Sequence, residues 1–206
     1  MGTEQIYTGN FDEMIKSARQ KLSGRSPEDL SAACGFTYDA AAGVFSFVSL
    51  GTDTTVSWPD LVFEPKTDVW QELTILQYMD AASGTEMTGE DISLKEFRVG
   101  GMIRGAYFDA QCDGIAKRSL GKADMEEVAK AGRLLGGIKC SGIADLNMEF
   151  IFMPHFRFKM CLWPADDEFP AQCRMLCDST SEKYLNVEAA GLMAVRLLEM
   201  LEEKLK

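Results

Sequence analysis

The spacing of apolar residues along the chain predicts several amphipathic helices. Apolar side chains recur every three to four residues in each of them, and residues that favour a helix start or a helix end mark several boundaries. The predicted helices cover residues 11–22 behind an Asn10 cap, 26–35, 68–82, 124–135, and 187–201 behind an Asn186 cap. The glycine-rich stretch 85–120 predicts a loop, a helical turn near residues 93–97 and a weak helix from Met102.

Short β-rich segments predict strands in two groups. The first group comprises residues 36–39, 44–50 and 54–58, and the second comprises residues 146–153, 156–163 and 173–178. Short turns join the strands within each group, and predicted helices lie before, between and after the groups. This order predicts an α+β fold in which an antiparallel sheet is covered by helices, with residues 1–206 forming a single domain.

The strand predicted at residues 156–163 has two chemically different faces. Because successive side chains of a strand point in opposite directions, alternate residues share a face. One face carries Phe156, Phe158, Met160 and Leu162, and the other carries Arg157, Lys159, Cys161 and Trp163. We expect the first of these faces to lie in the hydrophobic core.

The net charge restricts the range of partners. The 206-residue chain has 32 acidic and 21 basic residues, which gives a formal net charge of -11. Nucleic acids and anionic membrane surfaces attract clustered Lys and Arg, so neither is expected as a partner. No apolar run approaches the roughly 20 residues that cross a bilayer, and no signal peptide is recognised at the N-terminus. We therefore expect a cytoplasmic protein.

Signatures of nucleophilic or cysteine-based chemistry are incomplete. The six cysteines lack the dense spacing of a secreted disulfide scaffold and are expected to be reduced core thiols. His155 is the only histidine in the chain, so a Cys–His catalytic pair is disfavoured and a structural role for His155 is expected. Cys173 and Cys177 have no second close pair to complete a zinc or iron–sulfur site.

Nucleotide-binding loops are also not recognised. The stretch around Gly114 and Gly121 departs from the phosphate-loop pattern both in its spacing and in the residue after Lys122. The cluster from Gly100 to Gly105 does not match the dinucleotide fingerprint. These glycines are expected to provide backbone freedom.

The acidic turn at residues 163–170 is the strongest candidate site. Three adjacent carboxylates lie between two aromatic residues that are each next to a proline. We expect a ligand pocket here, formed by Trp163, Asp166, Asp167, Glu168, Phe169 and Asp178. In an extended turn Asp166 and Glu168 would point the same way, and these two with Asp178 could hold Mg²⁺ or Ca²⁺.

Two other interpretations of this turn remain open. It could be a solvated turn neutralised by nearby basic residues, for which Arg157, Lys159 and Arg174 are the candidates. It could also supply carboxylates for general acid and base catalysis.

At this motif the sequence resembles an uncharacterised family, the domain of unknown function 3786. The resemblance is most specific from Trp163 through residues 167–170 to Ser179, followed by Tyr184, Leu185 and Glu188. It extends to residues 35–38 and 50–51, residues 75–79 with Gly84 and residues 88–89, residues 98–101 and residues 134–137. The family tends to have a bulky apolar residue where this chain has Cys177, which favours core packing for that thiol.

The resemblance implies a setting for the protein but no role for any residue. It implies the cytosol of an anaerobic bacterium or archaeon and a link to redox metabolism, with a redox or iron–sulfur protein as a possible partner. Some longer members carry an iron–sulfur domain whose cysteine cluster is absent from this sequence. We expect an accessory protein that binds a small molecule or an unidentified cofactor. The alternatives are a metal-dependent hydrolase or transferase that uses the same carboxylates, and a protein-interaction module.

Overall fold

The structure is a computed structural model that describes the backbone of residues 4–206 and the side chains of residues 11–206. Within these residues the chain forms six α-helices and two antiparallel sheets of four and five strands. The predicted α+β class is confirmed. The two predicted groups of strands form two separate sheets rather than one, because no strand of the first group pairs with a strand of the second.

Most of the predicted helices are present near their expected positions. The six helices are α1 Glu4–Leu22, α2 Pro27–Cys34, α3 Val69–Ala81, α4 Ala106–Arg118, α5 Met125–Leu134 and α6 Val187–Lys204. Polar side chains begin four of them, because Ser26, Asp68, Asp124 and Asn186 each accept hydrogen bonds from main-chain N–H groups of the first turn. Helix α1 was predicted wrongly at its start. It continues six residues before Asn10, whose side chain lies outside the described part of the chain.

The smaller sheet is a meander in the order β1-β2-β3-β4. Its strands are β1 Thr37–Asp39, β2 Val44–Ser49, β3 Thr52–Ser57 and β4 Phe63–Glu64. The first three were predicted. Strand β4 was missed because it has only two residues and Pro65 follows it, so no alternating pattern develops.

The larger sheet has the order β5-β9-β8-β7-β6, so its two short strands lie at the edges. Its strands are β5 Asp91–Ser93, β6 Ile138–Lys139, β7 Leu146–Met153, β8 Phe156–Trp163 and β9 Gln172–Asp178. The three central strands were predicted, with β7 and β8 at the expected bounds. The two edge strands have three and two residues and are too short to show a period.

The core lies on one face of the larger sheet. Phe156, Phe158, Met160 and Leu162 of β8 are fully buried there, as expected, while α4 packs against β9 and α6 packs on α4. The opposite face carries Arg157, Lys159, Cys161 and Trp163. This face was expected to be the polar one, yet Arg157 and Cys161 are also buried.

The two sheets meet at a close backbone contact. The Leu50 N–H donates a hydrogen bond to the Ile151 carbonyl oxygen at 2.9 Å, which joins the turn after β2 to β7. Next to it, Gly51 and Gly136 pack against each other with positive φ angles of 72° and 71°. A Cβ atom on Gly51 would lie 2.6 Å from the Gly136 Cα, so the junction requires glycine at both positions.

Helix α4 begins after an irregular turn. The Gly101–Gly105 segment is a π-helical turn that leads directly into α4, after a short 3₁₀ turn at Leu94–Glu96. Both the expected turn near residues 93–97 and the expected helix after Met102 are therefore present. Residues 97–100 connect the two turns, and Gly101 and Gly105 pack on the backbone of Leu94 and Lys95.

Candidate functional site

The acidic turn is a compact loop that Asp166 closes on itself. The Asp166 Oδ1 atom accepts hydrogen bonds from the main-chain N–H groups of Glu168 and Phe169, at 2.9 and 2.6 Å. The Asp166 N–H in turn donates to the Phe169 carbonyl oxygen at 3.0 Å. The turn is therefore not extended, which was the condition under which Asp166 and Glu168 would point the same way. Asp166 uses one carboxylate oxygen to stabilise the loop, as Asp commonly does in turns.

The other residues of the turn lie mostly in solvent. Asp167 and Glu168 are exposed, and Phe169 retains 61% of its surface. Trp163 is half-buried at the end of β8, where it pairs with Gln172 at the start of β9. Of the expected site residues within the turn, Trp163 is thus the one that packs against the body of the protein.

Asp178 lies far from the acidic turn. It is at the opposite end of β9 from Gln172, and six residues of extended strand span roughly 20 Å. Asp178 is completely buried and lies opposite Asp91 of the edge strand β5 in the register of the sheet. The structure therefore does not bring Asp166, Glu168 and Asp178 together as metal ligands. Across the described residues, no group of three or more His, Cys, Asp or Glu side chains is placed to hold a metal ion.

Asp178 instead fixes a loop to the larger sheet. Its carboxylate accepts hydrogen bonds from the main-chain N–H groups of Thr88, Gly89 and Thr180, and from the Thr88 and Thr180 hydroxyls. Burial alone would disfavour the ionised form, but these bonds outweigh it and hold the pKa of Asp178 below its ordinary value. The carboxylate is therefore a structural anion.

Arg157 is buried and lies at the centre of an ion-pair network on the face of the larger sheet opposite Phe156 and Phe158. Its guanidinium group is 2.7 Å from Asp91 Oδ1, 3.1 Å from Glu149 Oε2 and 3.8 Å from Asp178 Oδ2. Lys159 Nζ lies 2.8 Å from Asp91 Oδ2. Burial opposes the ionisation of Asp91, but its bonds to Lys159 and Arg157 lower its pKa.

This network was missed by the sequence analysis. Arg157 and Lys159 were considered as neutralising partners of the acidic turn, whereas they pair with carboxylates of β5, β7 and β9. The available signal was the occurrence of two basic residues on one face of a strand that is otherwise apolar. Their carboxylate partners come from residues 91, 149 and 178, which only the sheet order brings together.

A small polar cavity lies beside Trp163. It has a volume of about 70 Å³ and lies between the end of the larger sheet and α4. The lining residues are Lys95, Asp109, Asp113, Trp163, Gln172, Cys173 and Arg174. Helical spacing places Asp109 and Asp113 on one side of α4, and they reach the unpaired edge of β9 because β5 pairs only with Leu176 to Asp178.

The charges around this cavity are only partly paired. Lys95 Nζ lies 2.8 Å from Asp109 Oδ2, and Asp113 Oδ1 accepts a hydrogen bond from the Cys173 N–H at 3.0 Å. Arg174 is exposed and makes no ion pair with any described residue. The residues that line the cavity therefore include an exposed arginine without an ion pair, a carboxylate with one uncommitted oxygen and an aromatic side chain.

The thiols and the histidine lie outside any catalytic arrangement in the described residues. All six cysteines are free, and five of them are buried. Burial raises the pKa of Cys173 well above its ordinary value, which keeps this cavity-lining thiol protonated. His155 stacks on Tyr184 and its main-chain N–H donates to the Tyr78 hydroxyl, so the ring is part of an aromatic cluster.

The fold and the cavity together define an α+β protein with a small charged pocket at one end of an antiparallel sheet. The sequence profile of the family described as domain of unknown function (DUF3786) matches residues 26–200. The chain therefore belongs to this family, as its motifs suggested. It has no significant match among curated proteins or among solved structures. None of the described helices combines the length and apolar composition needed to cross a bilayer.

Proposed function

We propose that the protein is an accessory protein that binds a small zwitterion, such as an amino acid, in the cavity beside Trp163. One observation carries this proposal: an arginine without an ion pair, a carboxylate that is not fully paired and an aromatic residue all line the same cavity. The ligand's carboxylate would pair with Arg174, and its ammonium group with the free oxygen of Asp113. Such charge-assisted hydrogen bonds are about twice as strong as neutral ones.

The size of the cavity supports a small ligand. Its volume of about 70 Å³ is far below the range of roughly 300 to 1,000 Å³ that is typical of drug-sized ligands. A molecule with few non-hydrogen atoms fits it, and the open side allows a larger ligand to place only its charged end there. The sequence predicts a site at the carboxylates of the acidic turn, whereas the proposed site is the cavity lined by Trp163, where that turn begins.

The lining residues favour binding over catalysis. Cys173 is the lining thiol, and its raised pKa works against formation of the nucleophilic thiolate. The single histidine lies in the aromatic cluster around Tyr184 and does not line the cavity. The hydrolase alternative also relied on a carboxylate set that the fold separates.

Isothermal titration of the purified protein with glycine, acetate and glycinamide tests the proposal. We expect glycine to bind, and acetate and glycinamide, which each lack one charge, to bind at least about tenfold more weakly. The variants Arg174→Gln and Asp113→Asn should each weaken glycine binding by about tenfold or more. Asn at position 113 keeps an oxygen that can accept from the Cys173 N–H, so the fold is preserved.

The matched control is Arg133→Gln, because Arg133 is a basic residue of α5 that does not line the cavity. It should bind glycine like the parent. The proposal fails if glycine does not bind the parent protein. It also fails if Arg174→Gln binds glycine as well as the Arg133→Gln control does. Native mass spectrometry of anaerobically purified protein would reveal a retained ligand directly.

A further inference from the structure

A second feature, separate from the cavity, is an exposed apolar surface at the start of α4. Val99, Met102 and Ile103 retain 82%, 85% and 78% of their surface, and Tyr107 retains 50%. Single exposed apolar residues are common on proteins, but several together mark an interaction surface. We name the α4 face by its exposed residues: Val99, Met102, Ile103, Tyr107, Ala110 and Gly114.

The turn that carries these side chains is held firmly against the protein. A Cβ atom on Gly105 would lie 2.5 Å from the Leu94 carbonyl carbon, and one on Gly101 would lie 2.8 Å from the Lys95 carbonyl oxygen. The Arg104 guanidinium group lies over the Tyr107 ring at 4.8 Å and pairs with Glu188. The apolar side chains are therefore presented in a fixed arrangement, which lowers the entropy lost when a partner binds.

The middle of α4 allows a close approach by another helix. Ala110 and Gly114 are exposed and lie one turn apart on the same side of α4. No atom lies within 4 Å of the position that a Cβ atom on Gly114 would occupy. Glycine is unfavourable in a helix interior, and no packing contact inside the described chain requires it here. A partner helix could therefore pack directly on the backbone at this point.

The exposed rim of the α4 face is mainly basic, although the chain as a whole carries a net charge of -11. Between residues 95 and 122 there are six basic residues, Lys95, Arg98, Arg104, Lys117, Arg118 and Lys122, and three acidic ones, Glu96, Asp109 and Asp113. Four of these basic residues form ion pairs, with Asp109, Glu182, Glu188 and Glu202, and the basic member is the more exposed one in three of the four. The exposed side-chain fractions are 91% and 24% for Arg98 and Glu182, 51% and 17% for Lys95 and Asp109, and 52% and 16% for Arg118 and Glu202.

We propose that the α4 face docks an acidic amphipathic helix of a partner protein. The partner's apolar side chains would cover Met102, Ile103 and Tyr107, and its backbone would approach α4 at Gly114. Its carboxylates would meet the basic rim, which gives specificity and a faster association rate. A second copy of this chain is disfavoured, because pairing two α4 faces would place basic rims together on two strongly acidic molecules.

The probe for this proposal is a synthetic amphipathic peptide with leucine and alanine along one helical face and glutamate elsewhere. Two matched control peptides are used. In the first, lysine replaces every glutamate, and in the second the same residues are in scrambled order. Fluorescence anisotropy with the full-length protein should show the glutamate peptide binding at least about tenfold more tightly than either matched peptide. The double variant Met102→Ser/Ile103→Ser and the single variant Gly114→Leu should each weaken this binding by about tenfold or more.

The control variant is Val62→Ser, because Val62 is 53% exposed and lies between β3 and β4 of the smaller sheet. It should bind the glutamate peptide like the parent. All substituted side chains are exposed, and circular dichroism melting confirms that each variant is folded. Equal binding of the three peptides, or unchanged binding by the α4 variants, overturns the proposal.

Two other results would also overturn the proposal, because each assigns a different occupant to the α4 face. A dimer in sedimentation equilibrium that the Gly114→Leu substitution abolishes would show that a second copy occupies the face. The second result is that the protein binds vesicles of phosphatidylcholine and phosphatidylglycerol but not the glutamate peptide. If the double variant Met102→Ser/Ile103→Ser abolishes this vesicle binding, the face binds a membrane surface.

Discussion

The Gly89 N–H donates a hydrogen bond of 2.7 Å to the Asp178 Oδ2 atom, and this bond joins two residues that are 89 positions apart. The same carboxylate binds Thr88 on one side and Thr180 on the other. Arg157 donates to the Gly89 carbonyl oxygen at 3.2 Å, so the loop before β5 is held by both its N–H and its carbonyl groups. Asp178 therefore fastens this loop and the edge of the larger sheet to the central strands.

Replacement of Asp178 by Asn should destabilise the protein strongly. The substitution removes the buried negative charge that faces Arg157 and turns an amide N–H₂ group towards main-chain donors. Loss of one partner from a buried ion pair of this kind costs about 3 kcal/mol. Urea unfolding monitored by circular dichroism measures the free energy of unfolding. The matched control is Asp167→Asn in the exposed turn, which should change that free energy by no more than about 0.5 kcal/mol.

The stability should fall at acidic pH because several carboxyl groups of the described residues, Asp178 and Asp91 among them, have lowered pKa values in the folded state. Burial opposes ionisation of Asp178 and Asp91, but hydrogen bonds and ion pairs lower both pKa values. The unfolded chain binds protons at these groups near the ordinary aspartate pKa of about 3.9, where the folded protein still keeps them ionised. Their contribution to stability is therefore present above this pH and is lost as the pH falls through the lower folded pKa values.

Urea unfolding at several pH values between about 3 and 7 measures this effect. We expect the free energy of unfolding of the parent to decline below about pH 4. The decline should be smaller in Asp178→Asn, because one of the responsible groups is gone. An equal decline in the variant and the parent would show that Asp178 does not contribute.

Most of the fold follows from local signals in the sequence. Ser26, Asp68, Asp124 and Asn186 predict helix starts because their side chains accept bonds from nearby N–H groups, and neighbours along the chain determine this. Strands β7 and β8 are long enough for their pattern to show. Strands β4, β5 and β6 have two or three residues, and they exist only because longer strands offer them an edge.

The candidate site was much less predictable than the fold. Trp163, Asp166 and Asp178 lie within 16 positions of each other, but an extended strand separates Asp178 from the other two by most of its length. Conversely, Lys95, Asp113 and Arg174 are distant in sequence and meet at one cavity. Pairing across strands and packing of α4 on β9 produce these contacts, and neither is visible in the local pattern of residues.

Replacement of Gly51 or Gly136 by Ala should destabilise the junction between the two sheets. Each substitution places a Cβ atom about 2.6 Å or less from the Cα of the facing glycine, and both residues have positive φ angles. Backbone cannot move aside as a flexible side chain can, so we expect each variant to lose at least about 2 kcal/mol in the free energy of unfolding.

The matched control for these variants is Gly114→Ala. Gly114 is an exposed glycine in the interior of α4, with open space where the Cβ atom would lie. Because alanine favours a helix more than glycine does, this variant should be more stable than the parent by up to about 1 kcal/mol. Urea unfolding of all three variants measures the difference. A junction variant as stable as the parent would contradict the close contact described at residues 51 and 136.

The reactivity of the thiols provides the last prediction. Cys140 is partly exposed, while the other five cysteines are buried. Burial raises the pKa of Cys34 to about 12 and raises that of Cys140 to a smaller degree. Because the thiolate is the reactive form, Ellman's reagent should modify one thiol per native chain, more slowly than a free cysteine, and six after unfolding in urea. The variant Cys140→Ser should show no early modification, whereas persistence of the early phase in this variant would mean that a thiol described as buried is accessible.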